Sequence, residues 1–433
     1  MTRMVTSLSA LLLSIVLLVS GNAFLMTLLG IRMSIESIDP ATIGWVLVCY
    51  SIGFVLGTLY VNRVIERVGH IRAFAVFAAV AAVAALLYPL AVSAVFWAFL
   101  RGLSGFSMAG VLVVIESWFS SRATNANRGA LFAVYQIVFF LSAAGGQLIV
   151  NLGDPASFTP FTLAAILLTL ALIPLSLTRM DAPPIDAVER MSFFTLVRES
   201  SSGVAGSLIC GVLIGSFYAL GPVYATLVGM DVSEVSVFMA TAIVAAMLLA
   251  WPLGQVCDRF NRRKVMCWVA LIAAIAGTAA ALLGPGQLWL LMLAVGVFTG
   301  MSATLYPIAV AITNDRMEHH RIVAASATLL LSYGIGSVIG PIVMAKVVSL
   351  VGPQGLFFGN AAVLLGLALF TSYKIKTTYD VPVAAQEHFV AAMPQSSTVL
   401  VEIDPRNEHF RVSPEIAPGS GDVPYHDGLR STG

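Results

Sequence analysis

The stretch Gly254-Gln255-Val256-Cys257-Asp258-Arg259-Phe260-Asn261-Arg262-Arg263-Lys264 is a dense charge cluster set between two apolar runs, in a chain that is only 10% charged. A hydrocarbon segment that ends in a small residue, an Asp-Arg pair and then three cations reads as a tight turn at a membrane surface, on the side that keeps Lys and Arg. A looser version, Gly57-Thr58-Leu59-Tyr60-Val61-Asn62-Arg63 running on to Arg67, Gly69 and Arg72, occurs in the first half of the chain. Two such turns in matching places indicate a duplicated membrane protein.

Composition supports this. The chain is 58% hydrophobic, against about 45–50% for a soluble domain, and its mean hydropathy is +0.92. A hydrocarbon core about 30 Å thick needs roughly 20 apolar residues per helix. By that measure there are twelve spans: 8–30, 43–62, 72–92, 94–117, 129–151, 159–178, 202–228, 234–256, 265–283, 287–312, 322–349 and 354–375. The predicted fold is an all-α membrane protein of twelve transmembrane helices in two pseudo-symmetric six-helix bundles.

Cations orient the chain. With the N-terminus inside, the inner loops hold Arg63, Arg67, Arg72, Arg122, Arg128, Arg179, Arg190, Arg198, the 259–264 cluster, Arg316 and Arg321, and the tail adds Lys374 and Lys376. Arg32, Arg101 and Lys346 lie elsewhere. The positive-inside rule then places both termini in the cytoplasm. Trp45, Trp97, Trp118, Trp268 and Trp289 near span ends read as interfacial anchors.

The domains expected are a bundle over 1–180, a cytoplasmic linker over 181–201, a bundle over 202–376 and a disordered cytoplasmic tail over 377–433, rich in Pro, Ser, Asp and Glu and unable to bury enough surface to order itself. The halves match in detail. Asn62 and Asp258 are 196 residues apart, Glu116 and Asp315 199, and Arg128 and Arg321 193. In transporters built from parallel repeats the substrate site lies between the halves near mid-membrane.

These residues carry a resemblance to the major facilitator superfamily over about residues 8–376. Gly254-x-x-x-Asp258-Arg259-x-x-Arg262-Arg263-Lys264 is similar to the superfamily's loop 8–9 signature, with Asn261 where a Gly is usual; the first-half copy has Asn62 in place of the acid. Arg101-Gly102-Leu103-Ser104-Gly105-Phe106, Glu116-Ser117-Trp118 and Gly69-His70-Ile71-Arg72-Ala73-Phe74 resemble the bacterial YcaD-like branch, related to drug-efflux carriers. The resemblance implies a secondary carrier in the inner membrane of a bacterium, working by alternating access, with export of amphiphilic compounds as the favoured direction. The glycine-proline run Gly334, Gly336, Gly340-Pro341 resembles a motif that efflux carriers have in span 5, yet here it stands in span 11.

Arg101 is the sharpest single signal. It lies about seven residues into span 4, where an unpaired charge costs a few kcal/mol even on lenient scales, unless its stem reaches the outer headgroups. Ser104 and Met108 share its face, which is expected to line a cavity. No Asp, Glu or His falls in mid-span. A cavity with one cation and no carboxylate suits anionic or neutral amphiphilic solutes. Asn22, Gln136, Tyr218 and Tyr306 are the expected polar contacts, with interhelical hydrogen bonding the competing role for each.

The gating network is expected to comprise Asn62, Arg63, Glu116, Arg128, Asp258, Arg259, Arg262, Arg263, Asp315 and Arg321. Carboxylates ending spans 4 and 10 would pair with arginines of the turns after spans 2 and 8, forming a latch when the cytoplasmic side closes; headgroup-level charges are the plainer alternative. The sequence shows no Walker loop and no metal-spaced His/Cys cluster. No enzyme activity, cofactor, metal or nucleic acid is expected, and Cys49, Cys210, Cys257 and Cys267 read as inert thiols. The expected partners are a small-molecule substrate, the lipid bilayer and a coupling ion for which the residues give no direct support, in a monomer. Uptake of an organic anion is the alternative direction, and a non-transporting sensor of the same fold the alternative class.

Overall fold

The computed structural model describes residues 2–122, 127–177, 191–318, 321–387 and 389–390, and among these there is no strand. Among the described residues, twelve helices are long and apolar enough to cross a membrane. We name them α1 (Thr2–Ile35), α2 (Pro40–Val68), α3 (His70–Leu87), α4 (Ala94–Arg122), α5 (Arg128–Leu148), α6 (Thr159–Ser176), α7 (Ser201–Leu227), α8 (Val232–Arg259), α9 (Arg262–Leu282), α10 (Leu288–Asn314), α11 (Ile322–Val351) and α12 (Gly355–Thr377). Every expected span is present.

Local chemistry sets the ends. Asp39 caps α2 through Ala41 N (3.0 Å), with Pro40 in the first turn. Asp231 and Glu234 form a reciprocal capping box at α8. Asn261, the departure from the usual Gly, has φ −57° and accepts from Arg263 N (3.1 Å) and Lys264 N (3.2 Å). Nothing there requires glycine, and the amide oxygen caps α9.

The halves repeat their packing. α1 meets α5 as α7 meets α11, α2 meets α4 as α8 meets α10, and α3 meets α6 as α9 meets α12. Small residues bring backbones together, as at Gly336, where a β-carbon would come within 2.0 Å of the Leu208 carbonyl oxygen. Between halves the contacts are α2–α11, α5–α8 and α1–α7. Outward faces are apolar, with Trp251, Ile275, Trp289 and Leu369 exposed, as lipid-facing surfaces require.

Two expectations need correction. Trp97 and Trp118 are not interfacial anchors: each is about 1% exposed, Trp97 Nε1 donating to the Ala91 carbonyl (2.8 Å) and Trp118 packing on His70. Trp45, Trp268 and Trp289 are exposed. The chain after Thr377 does not leave the bundle at once: residues 378–387 and 389–390 are held against it by backbone hydrogen bonds. Residue 388 and the rest of the expected tail, 391–433, lie outside the described residues, as do residues 178–190. Linker residues 193–199 are helical and bury Leu196.

Candidate functional site

A cavity of about 540 Å³ lies between the halves. It is lined from α1 by Asn22 and Thr27, from α2 by Tyr50, Asn62 and Arg63, from α5 by Gln136 and Gln147, and from the second half by Tyr218, Tyr333 and Ser337. Met26, Met108, Met191 and Met239 add soft apolar surface. The lining reaches Asn62 and Arg63 at the basic-loop end of the bundle. Toward the other end the halves touch: Asn151 Nδ2 donates to Ser236 Oγ (2.8 Å), and a β-carbon at Gly44 would come within 2.4 Å of Ala345 Cβ.

Of the expected solute contacts, Asn22, Gln136 and Tyr218 line this cavity, while Arg101 and Tyr306 do not. Tyr306 is buried behind Tyr333, ring to ring at 5.7 Å. Met108 and Leu112 carry the lining on α4; Ser104 and Arg101, further along, are buried beside α2 and α3. Of the α4 face expected to line a cavity, Met108 does so and Arg101 and Ser104 do not, because α2 covers that part of the helix. Gln147, which was not among the expected solute contacts, lines the cavity and bonds Thr27, its Nε2 reaching the Ala23 carbonyl at 3.4 Å.

Arg101 is fully buried. Its guanidinium carbon lies 4.4 Å from the Tyr50 ring centroid, a cation–π contact, so it does not extend to the outer headgroups. Its three side-chain nitrogens, the Tyr88 hydroxyl and the Ser104 hydroxyl make no hydrogen bond of good geometry among the described residues, although Arg101 and Ser104 both lie within reach of the Tyr88 hydroxyl. Tyr50 has Arg101 on one side, the cavity on the other and Asn22 beside its hydroxyl. One aromatic ring thus separates the solute space from a desolvated cation.

At the basic end, Arg262 pairs with Asp315 and donates to the Ala311 carbonyl (2.9 Å), all within the second half. Burial pushes the Asp315 carboxyl above its ordinary value, with Arg262 pulling the other way. Arg263 pairs with Asp380 (2.6 Å), and Arg321 reaches Glu199 (3.4 Å) rather than Asp315. Asp258 and Arg259 are exposed, and Asp258 accepts from Phe389 N (2.7 Å). In the first half Glu116 is buried and accepts from the Tyr135 hydroxyl at 2.5 Å. The Arg128 side chain lies outside the described residues. Asn62 and Arg63 face the cavity mouth, Arg63 also lying over the Tyr60 ring at 5.1 Å.

Two like halves around a shared central cavity match a sequence-level finding. The profile of the Major Facilitator Superfamily matches residues 8–251 and 203–402. The chain belongs to the major facilitator superfamily. Members with comparable sequences include the uncharacterized MFS-type transporter YcaD of Salmonella typhi, 31% identical over 362 residues that cover 82% of this chain and 92% of that one. YcaD of Escherichia coli O7:K1 (strain IAI39 / ExPEC) is 30% identical over 355 residues, with 81% and 91% covered. The nucleoside transporter NupG shares the superfamily fold with a TM-score of 0.73 at 18% identity, over 87% of this chain and all of that one. A bacterial homologue of the human lysosomal transporter Spinster does so at 0.72 and 14%, over 88% and 97%. The protein is thus a multi-pass membrane protein of a transporter superfamily, and its central cavity fits a small-molecule substrate.

Proposed function

We propose that the protein exports anionic or neutral amphiphilic small molecules across a bacterial inner membrane by alternating access, with its basic end and both termini in the cytoplasm. The supporting observation is the cavity. Both halves line it, it reaches the basic end and is closed at the other, and among the described residues Arg63 is the one ionised side chain that lines it. Asn22, Gln136 and Tyr218 are the direct polar contacts, and the four methionines accept varied apolar groups. Tyr306 supports Tyr333.

Arg101 serves the acidic part of a solute. A cation–π contact contributes about 2 kcal/mol when desolvated, less than the several kcal/mol it costs to bury a cation. An anionic group that displaces the Tyr50 ring would supply the missing acceptor, with the Tyr88 and Ser104 hydroxyls adjacent. Uptake of the same anions uses the same contacts, and only the direction differs.

A ligand-stabilisation screen of purified protein tests this reading, since a bound solute at about 100 times its Kd raises stability by about 2.7 kcal/mol. Amphiphilic anions should stabilise the wild type and lose most of that effect in Arg101→Ala, while neutral amphiphiles should lose it in Gln136→Ala. Transport in inside-out vesicles then reads direction. A preference for lipophilic cations, with Arg101→Ala unimpaired, would overturn the proposal.

A further inference from the structure

The turn between α8 and α9 is covered by the chain's own continuation. Leaving α12, residues 378–387 and 389–390 run across it. Arg263 pairs with Asp380 and donates to the Thr378 carbonyl at 3.2 Å. Arg262 donates to the Glu387 carbonyl, and the Glu387 N–H reaches Asp315 Oδ1 at 3.3 Å. The Phe389 N–H donates to Asp258 Oδ1 at 2.7 Å. Four charged groups of the basic end are thereby engaged by one peptide segment.

The far end of this strap bears on the cavity. Ala246 and Ala250 line it from α8. Gly254 is the next step of the same i, i+4 stripe, and the Phe389 ring lies over it: a β-carbon at Gly254 would come within 2.9 Å of that ring. Phe389 therefore stands at the basic end on the cavity-facing stripe of α8. Across the cleft, the neighbour of α8 is α5, whose basic end begins at Arg128. Closing that end brings the two helix ends together. The strap stands on that stripe and engages Asp258.

We propose that residues 378–387 and 389–390 are a wedge that holds the cavity open at the basic end, and that closure requires Phe389 to leave both Gly254 and Asp258. The inference rests on the alternating-access reading only in requiring that this end closes. The wedge makes this segment a regulator in cis: whatever draws it off the turn between α8 and α9 favours closure.

The test is electron–electron distance measurement on spin labels in the full chain, with its four native cysteines replaced. One pair, at Ala130 on α5 and the exposed Val256 on α8, reads the basic end. A second, at the exposed Leu152 and Val237, reads the opposite end. Phe389→Ala should raise the short-distance population of the first pair about fivefold, the effect of releasing half of a buried phenylalanine side chain. Asp380→Ala, which frees the strap's other anchor, should act in the same direction. Movement at the opposite end with no change in the first pair in either variant would overturn the wedge alone. No movement at either end, in any of the proteins, would overturn alternating access and the wedge with it.

Discussion

The two basic turns descend from one repeat, yet they are built differently. Between α2 and α3 the chain turns on Gly69, with φ +83° and no side-chain cap, and Asn62 and Arg63 are left facing the cavity. Between α8 and α9 the turn keeps an ordinary φ, Asn261 caps the next helix, Arg262 is sealed onto Asp315, and residues 378–387 and 389–390 lie across the whole. The half that kept the acidic residue is tied down within itself; the half that lost it is open to the solute space. Sequence repetition therefore reveals ancestry, and the partners acquired by each copy decide its role.

Removing one arginine from each turn breaks the comparison most sharply. Arg262→Ala leaves Asp315 buried without its counter-charge, which should cost about 3–5 kcal/mol of unfolding stability. Arg63→Ala, at an exposed position, should stay within about 0.5 kcal/mol. Denaturant unfolding in detergent reads both. Equal losses would mean that the two turns are energetically alike.

The turn backbones come next. Gly69→Ala should destabilise by roughly 1–3 kcal/mol through backbone strain alone, because a β-carbon there meets nothing within 4 Å. Asn261→Ala should cost about 1 kcal/mol through the lost cap, and Asn261→Gly less. If Gly69→Ala proves neutral, the first turn has another conformation within easy reach.

The smallest effect is one of pH. Asp315 is an acid whose folded-state pKa is raised, so the charged form is what burial disfavours. Stability from this group is greatest below the ordinary carboxylate value and falls as pH rises through the raised one. Going down in pH, Asp315 should therefore neutralise before an unperturbed carboxylate would, weakening its bonds to Arg262 and to the Glu387 amide. Protection of that amide, the intrinsic exchange rate at the same pH over the observed one, should fall over this window in the wild type, and Asp315→Asn should remove the step.

How much of this was legible beforehand differs by residue. Asn22, Gln136 and Tyr218 are polar groups in apolar spans, and they line the cavity. Arg101 was conspicuous for the same reason, but the ring standing in front of it belongs to another helix. Helical periodicity orders residues around one axis and is silent on which neighbour covers them. The strap was read as part of a tail without structure because most of its bonds come from backbone N–H and C=O groups, which every sequence carries.

By itself the sequence determined twelve spans, a duplication and the segregation of cations to one end, because hydrocarbon thickness and the cost of buried charge act on local composition. Only the tertiary structure decided where the halves part, which side chains face the gap, that Tyr50 shields Arg101 and that residues 378–387 and 389–390 fold back onto Asp258. Those outcomes depend on contacts between residues tens to hundreds of positions apart, which local composition does not encode.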